Sequence, residues 1–288
     1  MMQRFVSLMT ILLLAVMAAG AQDRPYDKEK QPHYVLSVTD KLPSEILGET
    51  RTINVYLPEG YSEESRETYP VIYVPDGGVQ EDFVHITGLV QYSTQPWVAR
   101  FPKSIVVGIE NIDRRKDFTF AVNGLGFLER MGIKKEQMPV YGGSQNYIAF
   151  IEKELQPFID KKYHTNADRT IIGESLGGLL ATEILLKHRA MFNTYIIVSP
   201  SLWWNKESLL AEAPELLKKG DNRKLKVYVG ACAKEEDKIM YDDAVRLGEV
   251  LQQAGIKTWY DYLPGEVHAT VLHQAVYNAF KLLYQPKK

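Results

Sequence analysis

One cysteine, Cys232, is all that the 288 residues contain. A single thiol closes no internal disulfide and makes no thiolate zinc site by itself. The chain also lacks an excess of either charge: 34 basic residues stand against 36 acidic ones, a formal net charge of −2. That balance gives no reason to expect a nucleic-acid partner. P-loop, dinucleotide fingerprint, His-Glu-x-x-His pattern and Cys/His metal spacing are all missing, so no metal and no other cofactor is implied. No internal repeat of roughly 20–50 residues is visible, and no Pro/Ser-rich linker divides the chain. What is present is ordinary for a globular protein, with 45% hydrophobic and 24% charged residues. This composition excludes a disordered, a collagen-like or a polytopic membrane chain.

The one notable apolar stretch is at the start. Residues 1–21 place Arg4 before a short apolar core, Leu8 to Met17, and end on the small residues Ala19-Gly20-Ala21. This is the layout of a cleavable export signal, and the run is too short for a comfortable membrane span. The expectation is a periplasmic or secreted protein beginning at Gln22, with no stable membrane insertion after signal cleavage. Residues 22–32 (QDRPYDKEKQP) read as a flexible leader. The remainder, 33–288, reads as a single domain, long enough to bury a core without disulfides.

Within it, β-branched runs alternate with helical patterns. Strands are expected at Tyr34–Val38, Thr52–Leu57, Val71–Val74, Ile105–Ile109, Thr170–Ile172, Tyr195–Val198, Leu225–Val229 and Thr258–Tyr262. Helices are expected at 80–96, 147–161, 177–188, 206–218, 238–254 and 269–284. The first two strands would start the sheet antiparallel. The later strand–helix alternation argues for a mostly parallel sheet of about eight strands with helices on both faces. Residues 111–146 form a long irregular stretch, and loops of that length usually carry function or disorder.

The segment TIIGESLGGLL (170–180) carries the chemistry. Gly173-Glu174-Ser175-Leu176-Gly177 matches G-x-S-x-G, a tight strand-to-helix turn that lifts a serine hydroxyl off a sheet. Small residues two positions to either side make that turn possible. The Leu176 N–H, at the start of the next helix, would face the oxyanion that forms during attack by Ser175. A serine needs a base. His268, in the loop before the last helix, is the leading candidate and His273, inside that helix, the weaker one. His33, His85, His164 and His188 read as surface or packing residues. The order Ser…Asp/Glu…His places an orienting acid after the strand Leu225–Val229. There GACAKEED offers Glu235, with Asp237 and Glu236 as alternatives, and at least two of the three are expected to be solvated charges. A second oxyanion donor is expected from the Asp76-Gly77-Gly78 loop, through the N–H of Gly78 or its neighbour Gly77. Arg114 and Arg115 could hold an anionic substrate or be an exposed basic pair. Trp203 and Trp204 could line an acyl site or belong to the core. Cys232 reads as a small strand-end residue.

Several segments resemble the putative-esterase branch of the α/β-hydrolases, which includes the enterobactin and salmochelin esterases. They are LGETRTINVYLPEGY (47–61), PVIYVPDGG (70–78), IVVGIEN (105–111), FIEKELQPFIDKKY (150–163), IIGESLGGLLA (171–181), SPSLWWN (199–205) and LPGEVHAT (263–270). The resemblance implies an α/β-hydrolase fold, Ser175 as nucleophile and His268 as base. Some branch members work with a Ser–His pair and a poorly defined acid, and the branch has an arginine where Arg114 or Arg115 stands. The expected function is an exported serine hydrolase that cleaves carboxylic esters through an acyl-enzyme on Ser175. Its substrate would be a small-molecule or polysaccharide-linked ester. An acyltransferase of the same fold and a non-catalytic hydrolase-like binding protein are the alternatives.

Overall fold

Eight short runs, rich in Val, Ile and Tyr, pair into a single sheet in the computed structural model, which describes residues 34–284. The signal peptide and leader expected at 1–21 and 22–32 lie outside the described residues. The strands are β1 (Val38–Ser44), β2 (Glu49–Tyr56), β3 (Tyr69–Val74), β4 (Ile105–Ile109), β5 (Thr165–Glu174), β6 (Thr194–Val198), β7 (Lys226–Ala231) and β8 (Lys257–Tyr262). Their order is β1-β2-β4-β3-β5-β6-β7-β8. β1 and β2 are antiparallel, β2 is antiparallel to β4, and β4-β3-β5-β6-β7-β8 run parallel. The fold is therefore a mostly parallel α/β sheet, as the strand–helix alternation requires. The described residues from Ser37 to Tyr284 fall in one compact unit.

One strand departs from expectation. Residues 34–37 carry no regular structure, and β1 begins only at Val38, running through VTDKLPS. As an edge strand it pairs with β2 alone and alternates exposed side chains with the partly covered Asp40 and Leu42 and the buried Ser44. Apolar density is a poor guide to such a strand. Pro43, which donates no N–H, is tolerated because the position lies on the sheet edge.

The helices are α1 (Phe83–Ser93), α2 (Arg114–Phe118), α3 (Ser144–Phe150), α4 (Gln156–Lys162), α5 (Leu176–Lys187), α6 (Ser208–Leu217), α7 (Lys238–Gln253) and α8 (Val271–Leu283). A wide π turn, Ile151–Leu155, joins α3 to α4 ahead of Pro157, so the helix expected at 147–161 exists with a local irregularity. Irregularities of this kind are usual where proline removes a helix donor. The period of two in the strands splits the core. Tyr73, Val107, Ile171, Ile197 and Val229 pack in one cluster with Leu179 and Ile184 of α5 and Leu247 of α7. Their neighbours Ile72, Val106, Ile172, Ile196 and Tyr228 point the other way and are just as buried. On that side lie the buried Phe83, Ile86 and Val90 of α1 and Val276 and Phe280 of α8, two helices that pack together. Both faces of a parallel sheet need such cover.

The long stretch after β4 is folded rather than loose. It holds α2, two 3₁₀ turns (Gly126–Met131 and Lys135–Gln137) and a bridge between Phe120 and Gly143. Its anchor is electrostatic. Arg51 of β2 donates to Asp117 of α2 at 2.7 Å, both side chains being 1% exposed, and also meets Glu49. The guanidinium lies over the Tyr147 ring, 5.3 Å from its centroid. Removing one partner of a buried pair leaves the other charge uncompensated. Asp117→Ala is therefore expected to lower unfolding free energy by about 3–5 kcal/mol, read from urea denaturation. A loss within the ordinary range of a surface substitution would show that the pair does not anchor this region.

Candidate active site

β3 and β5 are adjacent, but the chain between them leaves to form β4 on the far side of β3. Strand order thus reverses between β3 and β5, and open α/β sheets bind ligands outside the carboxyl ends of strands at such a point. Two segments meet there: Asp76-Gly77-Gly78 after β3, and Glu174-Ser175 at the end of β5.

Ser175 has φ 59° and ψ −119°, a left-handed backbone that side chains rarely adopt, and α5 starts at the next residue. Packing enforces this turn. A Cβ on Gly173 would sit 2.2 Å from the Gly177 carbonyl oxygen, so the strand end and the helix start touch through bare backbone. Strained serines of this kind are held only where the surroundings over-determine them. The Ser175 N–H donates to Val198 O at 3.1 Å and the Ser175 carbonyl accepts from Leu179 and Ser201 N–H. Leu176 is the first residue of α5, so its N–H has no partner within the helix.

An open depression of about 440 Å³ is lined by Asp76, Glu81, Asp82, Asn111, Arg114, Glu174, Ser175, His268 and Ala269. It brings together the three sequence candidates Ser175, His268 and Arg114. Ser175 Oγ hydrogen-bonds Ser201 Oγ at 3.3 Å rather than the imidazole. His268 Nε2 faces the Glu174 carboxyl at 3.6 Å, and its Nδ1 is buried without a hydrogen-bond partner. Burial, with a contribution from Arg114, pushes the His268 pKa below its ordinary 6.5, against Glu236 and Asp237. The neutral imidazole, the form a general base needs, is therefore favoured at neutral pH.

Arg114 donates to both oxygens of Asp76, at 2.6 and 2.9 Å, and to the Glu174 carbonyl at 3.1 Å. Asn111 donates to Asp76 at 2.7 Å. Asp76 thus gathers the ends of β3, β4 and β5 around one carboxylate.

Several expectations are corrected here. Gly77 N–H extends the sheet by donating to Ile109 O at 2.9 Å, and a Cβ there would collide with the β4 backbone. Gly77 is a close-packing residue. Gly78 N–H donates to Glu81 Oε2 at 2.7 Å, so neither amide stands open to a ligand. Glu235 is exposed and does not reach His268; Glu236 does, accepting the His268 backbone N–H. Asp237 caps α7 by accepting from Met240 N–H at 2.9 Å. No carboxylate therefore sits on the imidazole Nδ1. Arg115 is exposed and outside the depression. Trp203 and Trp204 are 6% and 0% exposed. Trp204 donates from Nε1 to Phe120 O at 3.0 Å and packs against Phe127 and Tyr141, so both belong to the core beneath the 111–146 region. His273 lies outside the depression, paired with His85. Cys232 is buried just past β7, as a small strand-end residue should be.

The sequence reading missed the carboxylates. Glu174 was visible only as the free position of the motif, and Glu81 and Asp82 only as polar residues in the first turn of the expected helix 80–96. Burial and then Asp82 push Glu174 up to about 8, with Arg114 opposing. Asp82 is raised to about 6, by burial and Asp76. The protonated form of Glu174 is thus favoured at neutral pH. A carboxyl raised in the folded state contributes stability that is complete below its unfolded value, near 4.5, and is lost as pH rises toward about 8. Glu174→Gln should therefore leave stability unchanged at pH 4 and raise it relative to the parent at pH 9, read from urea midpoints. An equal effect at both pH values would contradict this.

A family model described as "putative esterase" matches residues 44–282. The ferri-bacillibactin esterase BesA of Bacillus subtilis is 30% identical over 257 residues, covering 83% of this chain and 86% of that protein. The solved IroE-like serine hydrolase of Shewanella oneidensis is 30% identical with TM-score 0.77, over 86% of this chain and 80% of that one. The BES protein of Bacillus cereus is 27% identical with TM-score 0.75, over 88% of this chain and 98% of that one.

Proposed function

Because the chain belongs to the putative esterase family and is a carboxylic ester hydrolase, we propose that it works as an exported serine esterase on siderophore-type esters. The observation that carries this reading is the strained Ser175, at the mouth of the β3/β5 crevice with His268 in the same depression. His268 turns from Glu174 toward Ser175 and takes its proton. Ser175 then attacks the ester carbonyl, and the Leu176 N–H and the N-terminus of α5 stabilise the oxyanion. The alcohol leaves with the proton from His268, and water attacks the acyl-enzyme by the same route in reverse. Glu236, bound to the His268 backbone, positions the loop that carries the base. The arrangement is a Ser–His pair without a carboxylate on Nδ1.

The relatives and the exposed apolar residues near the depression support this substrate class. BesA is named for a siderophore ester. Val79, Ile112 and Val267, next in sequence to Gly78, Asn111 and His268, expose large apolar side chains. Exposed apolar side chains at these positions suit a bulky acyl or aromatic group better than a short acetyl ester. The apolar N-terminal segment supports export.

Ser175→Ala is expected to lower kcat on a p-nitrophenyl ester by roughly 10⁴-fold or more; parent-like turnover would end the proposal. In a panel of enterobactin, methyl ferulate, acetylated xylan and p-nitrophenyl esters, the siderophore trilactone should give the highest kcat/KM. The Glu81 contact gives a separate check. Glu81→Ala releases Gly78 N–H, and if that amide completes the oxyanion site, kcat rises with KM little changed. A fall in kcat would mean that Glu81 itself supports the reaction.

A further inference from the structure

Two imidazoles meet on the surface where α1 and α8 pack together. His85 of α1 and His273 of α8 are 188 residues apart in the chain, yet His273 Nδ1 lies 2.9 Å from His85 Nε2. Their ring centroids are 4.7 Å apart and the planes are tilted by 43°. Both side chains are exposed and both sit on helices anchored in the core, so the pair is presented by rigid elements. A shared proton would account for the separation. The same geometry also suits a shared ion: with Zn–N bonds of about 2.0–2.1 Å at the tetrahedral angle, two imidazole nitrogens stand roughly 3.3 Å apart. The two nitrogens need part by only a few tenths of an ångström, with a turn of the rings toward a common ion.

We propose that His85 and His273 form a binding site for one borderline divalent transition ion, Zn²⁺, Ni²⁺ or Cu²⁺, with water in the remaining positions. Imidazole nitrogen selects these ions over the hard cations Mg²⁺ and Ca²⁺. Among the described residues no group of three or more His, Cys, Asp or Glu side chains could hold an ion. The site is accordingly open and exchangeable, unlike a closed structural zinc centre. It is independent of the esterase chemistry, although its two helices begin directly after cleft segments. Asp82 precedes α1, and His268 and Ala269 stand just ahead of α8. A bound ion would tie these two segments together.

Isothermal titration of the full, tag-free chain with ZnCl₂ and NiCl₂, and with MgCl₂ as control, tests the assignment. One Zn²⁺ or Ni²⁺ per chain and no Mg²⁺ is expected. His85→Ala and His273→Ala should each weaken binding by about tenfold or more. Zn²⁺ should raise the Tm of the parent in a concentration-dependent way and leave both variants unmoved. Because the side chains are exposed, the variants should match the parent's Tm in EDTA. His273→Gln keeps a hydrogen-bonding side chain while losing the imidazole, and it should bind as poorly as His273→Ala. Absence of saturable Zn²⁺ or Ni²⁺ binding in the parent, or parent-like affinity in any of the three variants, overturns the site.

Discussion

The close approach of Gly173 to Gly177 is the constraint on which the site depends. Backbone against backbone at that point leaves no room for a side chain, and the chain passes from β5 to α5 within one residue. Ser175 takes up a left-handed conformation as the cost of this passage. The same compression aims its hydroxyl away from the sheet and sets the unpartnered first amides of α5 beside it. The sheet supplies the force that holds the strain. β5 lies between β3 and β6, with Ile171 and Ile172 buried on its two faces.

A second interaction organises what surrounds the serine. Asp76 accepts from Arg114 and Asn111, and Arg114 also reaches the Glu174 carbonyl. Three strand ends are thereby held at fixed separation by one carboxylate. Arg114 in turn depends on α2, which is held to β2 by the buried Arg51–Asp117 pair. Positions far apart in sequence are thus linked by two ion pairs that differ in exposure. The inner one fixes the element, and the outer one fixes the geometry of the cleft.

Much of this was legible beforehand. Strand and helix periods located seven of the eight strands, β5 only by its buried end because it starts five residues before the expected Thr170; parallel strands buried on both faces are dense in β-branched residues. The exception, β1, is an edge strand with a polar face. G-x-S-x-G located Ser175, and position before the last helix located His268. Pairwise side-chain contacts were not legible. Glu236 and Glu235 are adjacent in sequence, and only the loop conformation decides which one meets His268. Likewise the Gly77-Gly78 pair suggested open amides, but one is used by the sheet and the other by Glu81. Nothing in a linear string distinguishes Trp203 and Trp204 as wall or core until the 111–146 region is seen lying on them.

The polar outer strand has a consequence for the life of the molecule. A sheet with unpaired backbone at its margin invites neighbouring molecules to dock strand on strand. At this margin Lys41 and Pro43 are exposed on β1, and on the opposite margin β8 begins with the exposed Lys257. Charge and a missing donor make both borders poor templates for further pairing. With its only thiol buried, the protein has no disulfide to stabilise it while it folds. Its protection against self-association is instead written into the sides of the sheet, where a freshly folded copy would first meet another.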